Sequence, residues 1–354
     1  MSLPKTMRGA MLLGPEKIEV RDIALPRPGP GELLLRIEAA TTCGTDVKVY
    51  RRGGHPRMLK TPTLFGHEMT GSVAALGKNV KRFSEGDAIV VANSASCGSC
   101  APCNLGRENL CEDLIYINGA FAEYILVPER FVLNNTHYIP KGLSFDKAAM
   151  TEPLACVLHG LDACELDERE RELILDIVVF GAGPIGLLFV AALARKRHRI
   201  ILADPNSNRL NIGKELGATK TIKIERGGGQ ADRIRAETID GKGASIAIDS
   251  SGVPEAWVDA IHSVRPGGLI NLFGGCAPGT KINLDTNLIH YSELTIKGVY
   301  HHRPDTIRRS LAMLADKKFK ADKILTATRP IDEVEEALKS MISKQALKVV
   351  ISNQ

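Results

Sequence analysis

The sequence has little that would send the chain to nucleic acid, to a membrane or into a repeat architecture. Its 46 basic residues are set against 41 acidic ones, so the net charge of +5 leaves no nucleic-acid footprint. The densest basic run, Arg195-Lys196-Arg197-His198-Arg199, falls where a helix should end, where cations complement the helix dipole and face solvent. Met1-Ser2-Leu3-Pro4 leads straight into a polar start with no apolar targeting segment, which predicts a cytoplasmic protein. No internal repeat or low-complexity tract is present. Between Leu173 and Ala194 only Asp176 is charged, but Gly181, Gly183, Pro184 and Gly186 break that run at its middle. It therefore reads as two buried elements joined by a turn, and no membrane span is predicted. With no secretory signal, the eight cysteines point to thiolate–metal chemistry rather than disulfides.

What is present starts from that same run. The apolar, β-branched residues Ile174, Leu175, Ile177, Val178 and Val179 read as a buried parallel strand. It runs into Gly181-Ala182-Gly183-Pro184-Ile185-Gly186, then a helical pattern to Ala194, then a second apolar run from Ile200 that ends on Asp204. Strand, glycine turn, helix and closing acid together form the full context of a dinucleotide site. Gly181 permits the tight turn, Gly183 lets the backbone approach a pyrophosphate, and Gly186 lets helix and strand pack closely. The helix N-terminus offers unpaired N–H groups to phosphate. Asp204 should accept hydrogen bonds from a ribose diol and repel a 2′-phosphate, which predicts NAD; Arg209, close in sequence, keeps NADP as the alternative.

The length of 354 residues suggests two domains. Before the glycine turn the pattern is antiparallel β, with strands over Glu32–Ala39 and Gly71–Gly77 and a polar loop over Arg51–Thr63. Cys97, Cys100, Cys103 and Cys111 then place four thiols on one short polar loop, the spacing of a closed tetrahedral zinc site. An iron–sulfur cluster also takes four cysteines, but the seven-residue gap and the lack of a Cys-Pro terminus disfavour it. With four protein ligands no coordination position stays open, so this zinc should be structural. A second metal set rests on single residues: Cys43, His67 with Glu68, and Glu152 before Pro153. One thiolate, one imidazole and one carboxylate would leave a position open. Each alone also reads as a buried thiol, a core histidine or a surface acid.

Cys-Gly-Thr-Asp at 43–46, Gly-His-Glu at 66–68, the four-cysteine loop, Gly-Ala-Phe-Ala-Glu-Tyr at 119–124, Glu-Pro-Leu at 152–154 and the glycine turn stand in one order. In that order they resemble the zinc-dependent medium-chain dehydrogenases, on the sorbitol (polyol) and threonine dehydrogenase branch. The resemblance implies an α/β protein with a GroES-like β-barrel catalytic domain, residues 1–153 and 298–354, and a Rossmann doubly wound parallel-sheet domain, residues 154–297. It implies that Cys43, His67 and Glu152 line a catalytic zinc, that Glu68 enters or leaves its coordination sphere, and that Thr45 hydrogen-bonds the substrate hydroxyl. It also implies two zinc ions per chain and a homodimer or homotetramer. Where the family often ends its proton relay on a histidine, this chain has Lys48, read equally as a relay residue or as one facing solvent or a phosphate.

The second half continues the α/β rhythm. Helices are expected at Asn208–Leu216 and Glu255–Val264, and strands at Thr221–Ile224, Ser245–Asp249 and Leu269–Phe273. Gly252 and Gly274-Gly275 follow strands that should end at the cofactor crevice. A strand at Leu294–Val299, helices at Thr306–Leu314 and Ile331–Ser343, and a strand at Leu347–Ile351 complete the chain. The expected activity is hydride transfer between NAD and a secondary alcohol: a polyol, an inositol or a sugar-derived alcohol. Arg51, Arg52 and His55 are read as surface residues, with contacts to a hydroxyl-rich or carboxylated substrate as the alternative. An L-threonine 3-dehydrogenase type is the rival substrate class. A noncatalytic NAD- and zinc-binding redox sensor is the rival outside the enzymes, and a zinc-free quinone reductase is disfavoured by the metal residues.

Overall fold

A computed structural model describes residues 3–166 and 174–352; Met1, Ser2 and Leu173 of the sequence reading lie outside them. The chain divides into two compact units, Met1–Ala155 with His302–Gln354, and Cys156–His301.

In the Cys156–His301 unit six parallel strands lie in the order Lys220–Lys223, Arg199–Asp204, Asp176–Phe180, Ala244–Asp249, Val264–Leu272, Thr295–Gly298. This is the doubly wound Rossmann arrangement. Counted along the chain the order is 3-2-1-4-5-6, and it reverses between Asp176–Phe180 and Ala244–Asp249, the position where such sheets bind ligands. Asp176–Phe180 is buried along its whole length, which is why it reads as an unbroken apolar run and not as an alternating one. Val264–Leu272 starts earlier than the expected Leu269, because Arg265-Pro266-Gly267-Gly268 has turn composition but lies within a strand whose pairing shifts register there. The helix after the glycine turn, Pro184–Leu193, is buried from Gly186 onward.

The other unit is built on a mostly antiparallel sheet. The Leu33–Thr41 strand pairs with Glu68–Leu76, Tyr124–Val127 and Lys348–Ser352, placing Thr41 opposite both Glu68 and Val350. Leu33, Leu34 and Leu35 are all fully buried, and Phe65 and Phe121 meet edge to face in the same core. Two departures from the sequence reading occur here. Where a direct passage into a polar loop was expected, the chain forms a helix, Gly44–Arg52, and the short paired strands Gly54–His55 and Leu59–Lys60. The expected helix Ile331–Ser343 is divided into a 3-10 turn, Ile331–Glu333, and a helix, Val334–Ile342. Among the described residues no helix is long and apolar enough to cross a membrane.

Candidate metal centre and dinucleotide turn

The strand register decides where the first candidate site lies. Thr41 and Glu68 are opposite one another, so Cys43, just past one strand end, and His67, just before the other, face the same place. The ligand atoms of Cys43, His67 and Glu68 lie within 4.8 Å of one another. Cys43 also caps the Gly44–Arg52 helix. Its Sγ accepts from the Thr45 N–H at 3.4 Å, and the Asp46 Oδ2 accepts from the Cys43 N–H at 2.8 Å, a capping box closed by a thiol.

Asp46 has a second task that the sequence reading missed. Its Oδ1 lies 2.9 Å from His67 Nδ1. Both side chains are buried, and although burial opposes a charged imidazole, the Asp46 carboxylate raises the His67 pKa well above its usual value. An Nδ1–H donated to Asp46 leaves Nε2 as the atom available to a metal, the arrangement that metal-ligating histidines adopt. No local signal in the sequence gives this bond, because Asp46 and His67 are 21 residues apart and meet only through the strand register.

Glu68 is fully buried and has two different oxygens. Oε2 accepts from the Thr41 hydroxyl and from the Lys348 ammonium, itself 1% exposed. Oε1 is buried with no hydrogen-bond partner, beside Cys43 and His67. A carboxylate oxygen left without a donor costs free energy unless a cation meets it. The donor set of one thiolate, one imidazole and one carboxylate therefore suits zinc. Lys348, on the Lys348–Ser352 strand, also donates to Thr42 O at 2.7 Å. Burial opposes its charge, and Glu68, with Cys43 and Asp46, more than offsets that, so its pKa is raised.

Glu152 does not fall in the group formed by Cys43, His67 and Glu68. It stands in the first turn of the Thr151–Asp162 helix, and its Oε1 accepts from the Asn93 amide at 3.0 Å. The Asn93 Oδ1 in turn lies 2.8 Å from His302 Nε2, so the amide is oriented from both sides. Thr45 is half-buried on the first turn of the Gly44–Arg52 helix, and Lys48 is exposed on the same helix.

The four-cysteine loop brings its sulfurs together. The Cys100–Cys103, Cys100–Cys111 and Cys97–Cys103 separations are 3.4, 3.8 and 4.0 Å. A tetrahedron with metal–sulfur bonds of about 2.3 Å has edges of roughly 3.8 Å, so the cage has the size of a zinc site. These distances rule out S–S bonds among those pairs. Backbone N–H groups of Ser99 and Cys100 lower the Cys97 thiol to about 6, whereas burial pushes Cys103 up to about 12. Cys97 is thus the more readily ionised of these two, and a bound cation would favour the thiolate of Cys103.

In the Cys156–His301 unit, Gly181 has φ +95° and turns the chain out of its strand. A Cβ on Gly186 would come within 1.8 Å of Gly181 O, so only glycine lets the turn close on the helix. Gly183 caps the helix without a side-chain bond, ahead of Pro184 and Ile185, and nothing lies within 4 Å of where its Cβ would be. That open cradle beside uncapped N–H groups fits a pyrophosphate. Asp204 ties the turn to the next strand: Oδ2 accepts from Ala182 N and Oδ1 from Asn206 N, both at 2.7 Å. Arg209, half-buried, has its pKa lowered by burial against the opposing pull of Asp204. Gly252 has φ +67° and donates its N–H to Asp249 Oδ2 at 3.0 Å.

A fold of this kind with this donor set defines a zinc-dependent medium-chain dehydrogenase, and the chain belongs to that family. Residues 29–140 match the alcohol dehydrogenase GroES-like domain and residues 184–316 the zinc-binding dehydrogenase domain. The chain is 30% identical to an L-threonine 3-dehydrogenase of Idiomarina loihiensis, over 95% of this chain and 96% of that one. A zinc-binding dehydrogenase structure from Sinorhizobium meliloti 1021 bound to NADP is 29% identical, with a TM-score of 0.87 over 99% of this chain and 100% of that one. An alcohol dehydrogenase TADH from Thermus sp. ATN1 is 28% identical, with a TM-score of 0.85 over 98% of this chain and 99% of that one. The protein is an oxidoreductase acting on CH–OH donors.

Proposed function

We propose that this protein oxidises a secondary alcohol to a ketone with a nicotinamide dinucleotide, at a zinc ion held by Cys43, His67 and a glutamate. The observation that carries the reading is the buried, unpartnered Glu68 Oε1 beside the Cys43 and His67 ligand atoms. Glu68 supplies the carboxylate nearest those two, and Glu152 joins the set if it leaves Asn93. When bound, zinc supplies a Lewis acid for the substrate hydroxyl, and the dinucleotide supplies the hydride acceptor. The chain's own residues orient and deprotonate. Asp46 fixes the His67 tautomer, and the Thr45 hydroxyl accepts the substrate proton as it gives up its own toward solvent, which Lys48, exposed on the same helix, faces. The four-cysteine loop holds a second, structural zinc.

An L-threonine 3-dehydrogenase type of substrate is better supported by the relatives than a polyol or inositol. Asp204 favours NAD, while Arg209 and the NADP-bound neighbour support NADP as the alternative. The protein is cytoplasmic and a homo-oligomer in this reading; a monomeric mass in light scattering would contradict the latter.

The test is reduction of NAD and of NADP across L-threonine, polyols, inositols and sugar acids, with zinc counted by mass spectrometry. We expect turnover with at least one of these alcohols and two zinc ions per chain, with one zinc lost in Cys111→Ser. No turnover with any, together with a single zinc, would favour the noncatalytic sensor. In the same assay an unchanged rate in Lys48→Ala or Glu152→Ala removes that residue from the proposed mechanism.

A further inference from the structure

Asp249 is a fully buried acid that the proposed reaction does not use. It ends the Ala244–Asp249 strand, in register with Phe180 on one side and Leu272 on the other. It therefore lies at the carboxyl edge of the sheet, at the point where the strand order reverses. The donors it gathers are neutral: Ser251 N–H and hydroxyl on Oδ1 at 3.2 and 2.6 Å, and on Oδ2 Gly252 N–H at 3.0 Å and the Trp257 indole N–H at 3.1 Å. Burial raises its pKa, and these hydrogen bonds oppose the rise.

The same residues fasten three chain segments to each other. The Ser250 hydroxyl lies 2.8 Å from Phe180 O and 3.1 Å from Gly181 O, at the start of the glycine turn. Gly274 N donates to Asp249 O at 2.8 Å, and the Trp257 indole also reaches Gly274 O at 3.0 Å. There is no spare room: a Cβ on Gly252 would come within 2.5 Å of Gly275 O, and one on Gly274 within 2.3 Å of Gly252 N. The segments after Phe180, Asp249 and Leu272 are thereby held at a common level.

We infer that Asp249, with Trp257, is a positioning residue for the dinucleotide, holding residues 250–253 and 273–275 against the glycine turn that receives the phosphates. The inference rests on the reading of this unit as the dinucleotide-binding one. A buried carboxylate suits the task because it accepts four hydrogen bonds at once, whereas an amide of the same shape would turn N–H groups toward N–H donors.

The test uses the full-length, zinc-loaded protein and NADH and NADPH as probes. Asp249→Asn should weaken binding of the preferred dinucleotide roughly tenfold in calorimetry, the cost of one buried donor left unmet. Its KM for the dinucleotide should rise in step, with kcat at saturation retained. Trp257→Phe should shift both in the same direction by less. A structural role alone would lower the melting temperature and leave the dissociation constant of the folded protein unchanged. A wild-type constant in Asp249→Asn, measured below its melting temperature, overturns the inference. If that variant does not fold, a wild-type constant in Trp257→Phe does so. If the parent protein binds neither probe, the dinucleotide reading itself has failed, an outcome distinct from a parent that binds and variants that bind equally well.

Discussion

Lys348 is the residue whose chemistry departs most from its surroundings: an ammonium 1% exposed, paired with a fully buried Glu68. Breaking one side of a buried pair leaves the other charge uncompensated, at a typical cost of ~3–5 kcal/mol. Lys348→Met should lose stability on that scale in urea unfolding, and adding Glu68→Gln should recover part of it by neutralising the stranded carboxylate. A single variant as stable as the parent would show that the pair holds nothing. None of this was legible in the sequence, because Lys348 meets Thr42 from 306 positions further along the chain and a lone lysine in an apolar strand announces no partner. The grouping of the four cysteines was legible because their spacing carries the signal, whereas Cys43 and His67 read singly as a buried thiol and a core histidine and were brought together only by the family resemblance. For Glu152 the motif did not show that Asn93 already holds the carboxylate.

At the scale of elements, the sheet edge carries a pH dependence of its own. His137, on the Thr136–Tyr138 strand, is buried, and burial, with Arg82 and Arg308 adding to it, lowers its pKa from 6.5 to about 4. The unfolded imidazole titrates near 6.5, so between there and about 4 the unfolded chain binds more protons than the folded one. Stability therefore falls as pH drops through that window, by at most ~3 kcal/mol from this residue. His137→Gln should flatten that part of a stability–pH curve measured by chemical denaturation; an unaltered slope would mean the histidine titrates alike in the folded and unfolded chain. The strands of the parallel sheet were readable from apolar runs. The Gly44–Arg52 helix was not: it is nine residues long, begins on glycine, and takes its cap from a cysteine, a residue that seldom marks a helix start. The early start of Val264–Leu272 was hidden because Pro and Gly carry turn signals wherever they occur.

For the molecule as a whole, the order in which the chain is made matters. The strand at residues 348–352 lies beside the strand at 33–41, whereas Cys156–His301 is a compact unit drawn from one continuous stretch. During translation that stretch is complete while the Leu33–Thr41 strand, already paired with Glu68–Leu76 and Tyr124–Val127, still lacks its partner at Ala40 and Thr41. Chains stalled on the ribosome short of residue 348 should therefore show protease resistance within 156–301 and cleavage within the first 155 residues, and equal protection of both would contradict this order. Until the Lys348–Ser352 strand emerges, the buried Glu68 also waits for the ammonium that will neutralise it, so the metal-binding corner is the part of the fold that closes late.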